Sequence, residues 1–234
     1  MADIRLMQAI CILSKYHKEK YEQLLGDGIH REQIINIGDF LEGLASRQYF
    51  DLKCLPHEQG REIFVDAGSF DGMTSVYFKQ WCQGDAFVYV FEPDRTCRQK
   101  CIENLEKNHV PYRFFANGLW SGKKELRFGH SENGSSRIRD QGETIVEVLP
   151  LDSILSGEKV TFIKMDIEGA EDQALLGAER IIRENKPKLA VCVYHKLEDI
   201  LQIPEIILKF YPGYRLYFRH YSLNKYETVL YALP

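Results

Sequence analysis

From residue 61 onward, apolar residues recur along the chain in two alternating patterns. Short continuous apolar runs are typical of strands buried on both faces, and apolar side chains three or four residues apart are typical of helices. The predicted strands cover residues 63–65, 87–91, 112–116, 160–165, 189–194, 214–219 and 228–232. This alternation predicts an α/β fold whose mostly parallel, seven-stranded sheet ends in an antiparallel hairpin.

The segments between these strands predict helices and one further hairpin. Helices are expected after Gly72, after Asp94, over 170–183 and over 197–210, the last kinked or restarted at Pro204. Gly177 falls inside the third of these, at a cost of about 1 kcal/mol relative to alanine, which indicates close packing. Residues 124–128 and 144–148 have the pattern of a β-hairpin around a polar loop.

The N-terminal part of the chain has a different pattern. Residues 3–25 and 39–47 show helical spacing, and a polar, turn-prone joint at 56–60 separates them from the sheet. We therefore divide the chain into a helical extension at 1–60 and an α/β domain at 61–234. Three roles are open to the extension: covering a bound cofactor, contributing to an acceptor pocket, or forming a homodimer.

Composition excludes several classes of partner. A formal charge of −4 over 234 residues gives no electrostatic case for nucleic acid or an anionic membrane. No apolar run is long enough to span a bilayer, and the first residues lack a signal-peptide pattern. The six cysteines lack metal-type spacing and read as buried free thiols, which fits a cytoplasmic location.

The turn after the first strand is the strongest chemical signal. The strand leads into Asp66, Gly68 and Gly72, a helix follows, and the second strand ends in Glu92. This unit is one half of a nucleotide-binding sheet, in which glycines admit a ligand and the second acid accepts hydrogen bonds from a ribose. The glycine spacing is not that of a pyrophosphate binder, and no phosphate loop occurs. S-adenosylmethionine, which has a ribose, an ammonium group and no phosphate, suits these carboxylates.

Three segments resemble the FkbM family of S-adenosylmethionine-dependent methyltransferases. They are V-D-A-G at 65–68, F-E-P at 91–93 and F-I-K-M-D-I-E-G-A-E at 162–171, of which the last is the most specific. The resemblance covers roughly residues 61–234. It implies the three-layer, Rossmann-like sandwich of class I methyltransferases and O-methylation of a hydroxyl on a sugar, glycan or secondary metabolite. The family's first turn more often reads D-x-G-A-N-x-G, and Ser69, Phe70 and Asp71 stand there in this chain.

Polar residues follow five successive strands at the edge where open α/β sheets bind ligands: Asp66, Glu92, Asn117, Asp166 and His195. We expect the cofactor to contact Asp66, Gly68, Ser69, Asp71, Gly72, Glu92, Asn117 and Asp166. The alternative for the acids is helix capping, and Asn117-Gly118 is also an ordinary turn.

Catalysis is expected from His195 and Glu168. A hydroxyl is a poor nucleophile until its proton is removed, and an imidazole titrates near neutral pH. His220 and His130 are the alternatives. Glu168 is a candidate for orienting the acceptor, with capping of the next helix as its structural alternative. The acids and His195 could also hold a divalent ion, although we assign no metal.

Three other functions stay open at this stage. The first is a non-catalytic nucleotide- or glycan-binding module of the same fold. The second is a nicotinamide-dependent oxidoreductase, against which the missing G-x-G-x-x-G counts. The third is methylation of nitrogen or carboxyl groups.

Overall fold

A computed structural model describes residues 48–50, 52, 54–57, 60–82, 84–130, 136–138, 144–221 and 226–234. Its strands are β1 Glu62–Ala67, β2 Ala86–Phe91, β3 Tyr112–Phe115, β4 Gly118–Leu119, β5 Lys124–His130, β6 Ser136–Ile138, β7 Thr144–Leu149, β8 Phe162–Met165, β9 Lys188–Cys192, β10 Arg215–His220 and β11 Thr228–Leu233. Its helices are α1 Met73–Cys82, α2 Arg95–Lys107, α3 Leu151–Ile154, α4 Glu171–Leu176, α5 Glu179–Asn185 and α6 Asp199–Phe210. The predictions for residues 1–47 lie outside the described residues.

The main sheet has seven strands in the order β10-β11-β9-β8-β1-β2-β3. Strands β3, β2, β1, β8 and β9 run parallel, while β11 pairs antiparallel with both β9 and β10. All seven predicted strands are present, and the hairpin closes the sheet as expected. The chain therefore has the mostly parallel, seven-stranded α/β fold that the sequence predicts.

Two hydrophobic layers cover the faces of this sheet. On one face, Phe64 and Val88 pack with side chains of α1, α2 and the segment around Tyr49. On the other face, Val65 and Ile163 pack with side chains of α3 to α6. Successive strand residues point to opposite faces, so continuous apolar runs supply both layers.

A second sheet, of four strands, lies beside the carboxyl edge of the first, in the order β4-β7-β5-β6. Strands β5 and β7 pair antiparallel, with Lys124 opposite Val148 and Phe128 opposite Thr144. This pairing confirms the hairpin predicted from residues 124–128 and 144–148. Strand β6 adds a pairing that the sequence pattern did not predict.

The long helix predicted over 170–183 is wrong in one respect, because it is two helices with a break at Gly177. A Cβ at Gly177 would overlap the carbonyl oxygen of Trp120, and the α-carbon of Pro150 is also in contact range. The glycine is therefore required by close packing on the second sheet, and the chain turns there between α4 and α5. The helix does not restart at Pro204, since α6 runs through this residue without interruption.

The described part of the predicted N-terminal extension packs on the main domain. Tyr49, Leu52 and Leu55 are buried in the same layer as Phe64 and Phe78. The described residues contain no helix that is long and apolar enough to cross a membrane.

Candidate active site

A cavity of about 610 Å³ opens at the carboxyl edge of the parallel strands. Its walls come from the β1–α1 turn, the ends of β2 and β8, the second sheet and the segment at Gln48 and Tyr49. This position is where open α/β sheets bind ligands, and the volume suits a nucleoside-sized molecule with space for an acceptor group.

The turn after β1 brings the backbone close to the cavity. Gly68 has a φ of +77°, and a Cβ there would overlap the carbonyl oxygen of Asp166. Only glycine fits between the ends of β1 and β8. Ser69 and Asp71 line the cavity as predicted, whereas Gly72 packs against Cys101 and Leu105 of α2 instead.

Asp66 lies beneath the cavity and does not line it in the structure. Its side chain is fully buried, where it accepts a hydrogen bond from Ser75 Oγ at 2.6 Å and pairs with Lys164 Nζ at 3.2 Å. Burial opposes the charge of Lys164, but Asp66 and then Asp166 outweigh it and raise the lysine pKa. Lys164 also donates to the carbonyls of Ala67 and Gly68, so the pair holds the turn in place. We therefore expect Asp66 to support the cofactor site from below.

Glu92 lies at the end of β2 and lines the cavity. Its carboxylate accepts hydrogen bonds from the backbone N–H groups of Phe70 at 2.7 Å and Asp94 at 2.8 Å. Burial raises the pKa of Glu92 despite these two donors. Each oxygen retains a second lone pair, so a ribose diol can still donate to this carboxylate.

Asn117 also lines the cavity, beyond β3. Its half-buried side chain donates to the Glu147 carboxylate at 2.9 Å, which ties the edge of the main sheet to β7. Leu119, Trp120 and Phe128 add apolar surface nearby. This end can accommodate a flat base.

Asp166 is at the centre of the opposite end. Tyr49 Oη donates to its Oδ2 and Tyr194 Oη to its Oδ1, each at 3.1 Å. Burial, followed by nearby ionisable groups that include Asp166, raises the pKa of both phenols, so they stay protonated donors. Both oxygens of Asp166 are thereby fixed in orientation at the cavity wall.

His195 is packed behind this wall, with its side chain only 1% exposed. Its Nε2 lies 3.5 Å from Asp166 and 3.8 Å from Glu168, and its Nδ1 lies 2.9 Å from the fully buried Glu171. Burial opposes protonation of the ring, but Glu171, Asp166 and Glu168 outweigh it and raise the pKa of His195. The structure thus brings Asp166, Glu168 and His195 together, with the two carboxylates facing the cavity and the imidazole behind them.

Asp166, Glu171 and His195 also offer ligand atoms within 4.8 Å of one another, a spacing that a metal ion requires. The Nδ1 atom of His195 already lies 2.9 Å from the Glu171 carboxylate, so the imidazole can itself supply a positive charge to this cluster. We therefore assign no metal to the cluster.

Several residues of the cavity wall were not predicted from the sequence, among them Gln48, Tyr49, Tyr194 and Glu227. Glu227 precedes β11, and because β11 is antiparallel, its beginning lies at the edge where the parallel strands end. The available signal was a charged residue before an antiparallel strand, because such a residue lies at the same edge as the residues that follow parallel strands. Gln48 and Tyr49 left no comparable signal in the sequence.

A family comparison agrees with this arrangement of a carboxylate at the end of β2, a glycine turn and an acidic wall. Residues 66–220 match the family model described as the methyltransferase FkbM domain. The chain belongs to the FkbM family. This assignment confirms the resemblance seen in the sequence, and the family uses S-adenosylmethionine as its cofactor.

Solved structures support the fold of this FkbM-family protein. Methyltransferase FkbM from Methylobacillus flagellatus KT is 29% identical over 80% of this chain and 47% of its own, with a TM-score of 0.67. The present chain thus spans about half the length of that relative. A comparison with curated proteins finds no match.

Two more distant structures share the fold alone. Aeropyrum pernix fibrillarin, solved with bound S-adenosyl-L-methionine, is 12% identical over 82% of this chain and 74% of its own, with a TM-score of 0.52. Precorrin-6y C5,15-methyltransferase from Geobacter metallireducens GS-15 is 8% identical over 88% of this chain and 94% of its own, with a TM-score of 0.50.

Proposed function

We propose that this FkbM-family protein transfers the methyl group of S-adenosylmethionine to a hydroxyl of a sugar, glycan or secondary metabolite. The observation that carries the proposal is the wall of Asp166 and Glu168 with His195 behind it, facing the same cavity as Glu92. Such a wall supplies proton acceptors at a distance from the ribose site, as hydroxyl methylation requires.

The residues of the cavity divide between the two substrates. Glu92 would accept from the ribose hydroxyls, and the backbone at Gly68 and Ser69 would approach the methionine portion. Asn117 would lie beside the base. When bound, S-adenosylmethionine supplies an activated methyl group, whose bond to sulfur breaks as its bond to the acceptor oxygen forms.

The acceptor hydroxyl must lose its proton as it attacks. Glu168 faces the cavity and lies 3.8 Å from His195 Nε2, so we assign the first proton contact to Glu168 and the final acceptance to the neutral imidazole. Asp166, held by the two phenols, orients the reacting groups. Because the pKa of His195 is raised, turnover should increase with pH through a value above the ordinary 6.5.

The proposed partners are a small-molecule or glycan acceptor, with no role for nucleic acid or membrane. Dimerisation through residues 1–47 stays a proposal. The described cysteines are free thiols, which supports the cytoplasm as the proposed compartment.

The test is methyl transfer from labelled S-adenosylmethionine to a panel of sugars and polyols, with mass spectrometry locating the methyl group. His195→Ala should lower kcat by about 10²- to 10⁴-fold while affinity for S-adenosylhomocysteine stays within about twofold. Glu168→Gln should lower kcat in the same direction, and Glu205→Gln, on the exposed face of α6, is the matched control.

Two results would contradict the proposal. Methylation found on nitrogen or a carboxylate would reject the hydroxyl acceptor. Tight cofactor binding with no transfer to any acceptor class would favour a binding module of the same fold.

A further inference from the structure

Three residues of the cavity wall lie outside the region that matches the family model. Within the described chain, the wall residues outside 66–220 are Gln48, Tyr49 and Glu227. Members of one family share a cofactor but differ in acceptor, so contacts outside the shared region are where acceptor selection is expected.

These residues join two ends of the chain at one point. Gln48 Nε2 donates to Glu227 Oε2 at 2.6 Å across a separation of 179 residues. The backbone N–H of Tyr49 donates to Tyr231 Oη at 3.0 Å, and that hydroxyl contacts Tyr221 Oη at 2.6 Å. The hydrogen bonds therefore anchor this wall to β11.

The backbone at this wall is strained. Tyr49 has a φ of +74° and Glu227 a φ of +68°, both in the region that favours glycine. A left-handed conformation is unfavourable at a bulky residue, and strain of this kind clusters at active sites and ligand clamps.

The cavity as a whole is strongly acidic. Its charged wall residues in the described chain are Asp71, Glu92, Asp94, Lys164, Asp166, Glu168 and Glu227. The single lysine among them is buried and paired with Asp66, so it offers little to a ligand. An anionic group entering next to Asp166, Glu168 and Glu227 would meet like charges in a partly desolvated site.

We propose that Gln48, Tyr49 and Glu227 form the acceptor-binding wall, and that this wall selects neutral or cationic polyhydroxylated acceptors over anionic ones. This inference rests on the proposed function. Glu227 accepts hydrogen bonds from a hydroxyl or ammonium group of the acceptor. Gln48 holds the Glu227 carboxylate in place, and Tyr49 sets the position of Asp166 beside it.

The experiment uses ligand-observed NMR on the full chain saturated with S-adenosylhomocysteine. The three probes share one ring and differ in charge: glucosamine, methyl α-glucopyranoside and glucose 6-phosphate. We expect the cationic and neutral sugars to bind and the phosphate to bind at least about tenfold more weakly.

Charge reversal at one residue makes the test specific. Glu227→Lys should lower the affinity for glucosamine by about tenfold and raise the affinity for glucose 6-phosphate, while the affinity for S-adenosylhomocysteine stays unchanged. Glu205→Lys makes the same charge change on the exposed face of α6 and should leave the affinity for both sugars unchanged. The neutral variant Glu227→Gln should lower the affinity for glucosamine without raising the affinity for glucose 6-phosphate. This result would support the proposal even if the lysine variant fails to fold.

Equal or tighter binding of the phosphate to the natural protein would overturn the proposal, as would an unchanged preference in both Glu227 variants. Failure of all three sugars to bind would also overturn it. In these cases, binding of S-adenosylhomocysteine would still leave the methyltransferase assignment in place. If the natural protein does not bind S-adenosylhomocysteine, that result would instead count against the proposed function itself.

Discussion

At Phe70 the backbone adopts a left-handed conformation with a φ of +51°, and the ring is 65% exposed at the cavity. Both features are unfavourable for folding, because a bulky residue is strained there and its apolar surface faces water. Its N–H is held by Glu92, which explains how the conformation is maintained. We therefore expect this position to exchange local stability for contact with a ligand.

Phe70→Asn should therefore stabilise the protein by about 1 kcal/mol, since asparagine tolerates this conformation better. The melting temperature should rise by about 2–4 °C, measured by calorimetry. Affinity for S-adenosylhomocysteine should fall by up to about tenfold if the ring covers the ligand.

His109→Asn is the matched control, because His109 has the same φ of +51° at a site outside the cavity wall. It should leave affinity for S-adenosylhomocysteine unchanged. A melting temperature for Phe70→Asn at or below that of the natural protein would show that the conformation is not strained.

Glu92 lines the cavity at the end of β2, where we expect it to bind the ribose. Glu92→Ala should weaken S-adenosylmethionine binding by about 1–3 kcal/mol, because the ribose hydroxyls lose a carboxylate partner. Isothermal titration calorimetry measures the change, with Glu103→Ala on the exposed face of α2 as the control. Equal affinities for the two variants would remove Glu92 from the ribose site.

At the scale of elements, the start of α6 is coupled to the carboxylate cluster. Asp199 is fully buried, its Oδ2 accepts from the Lys196 N–H at 3.1 Å, and its Oδ1 has no hydrogen-bond partner. Burial, and then the charge of Glu171, raises the pKa of Asp199 to about 6. The carboxyl group at the start of α6 therefore keeps its proton to a higher pH than an ordinary aspartic acid does.

This shift predicts how stability depends on pH. The folded pKa of about 6 exceeds the ordinary 3.8, so the contribution of Asp199 to stability is greatest below 3.8 and is lost as pH rises to the folded value. The natural protein should therefore lose stability relative to Asp199→Asn between pH 4 and pH 7. Chemical denaturation of both proteins across this range provides the measurement, and parallel stability curves would contradict the assignment.

At the scale of the molecule, residues 48–57 connect the N-terminal part of the chain to the core. Tyr49, Leu52 and Leu55 are buried against the main sheet, and Tyr49 also reaches Asp166. The boundary suggested at residue 60 thus separates side chains that pack together.

Removing residues 1–60 should destabilise the protein by about 5 kcal/mol, because three apolar side chains lose their burial. Removing only 1–47 retains these contacts, so that shorter truncation should unfold at a higher denaturant concentration. Equal unfolding midpoints for the two truncations would show that the segment contributes no stability.

The sequence by itself determined the seven strands, the closing hairpin and the sites of the glycine turn and Glu92. Local patterns encode these features, because burial on both faces makes each central strand apolar and the fold places its ligand at the strand ends. The K-x-D-x-E-G-A-E run identified the family for the same reason, since it joins a strand end to the next helix in consecutive residues.

Only the tertiary structure decided which polar residues reach the cavity. Asp66 is buried below the cavity in an ion pair with Lys164, and His195 lies behind Asp166. Glu227 lines the cavity because β11 runs antiparallel to β9. The break at Gly177 likewise follows from contact with Trp120, which no helical period reveals. These outcomes depend on pairings between residues up to 179 positions apart, and the order and direction of strands set them while local periodicity does not.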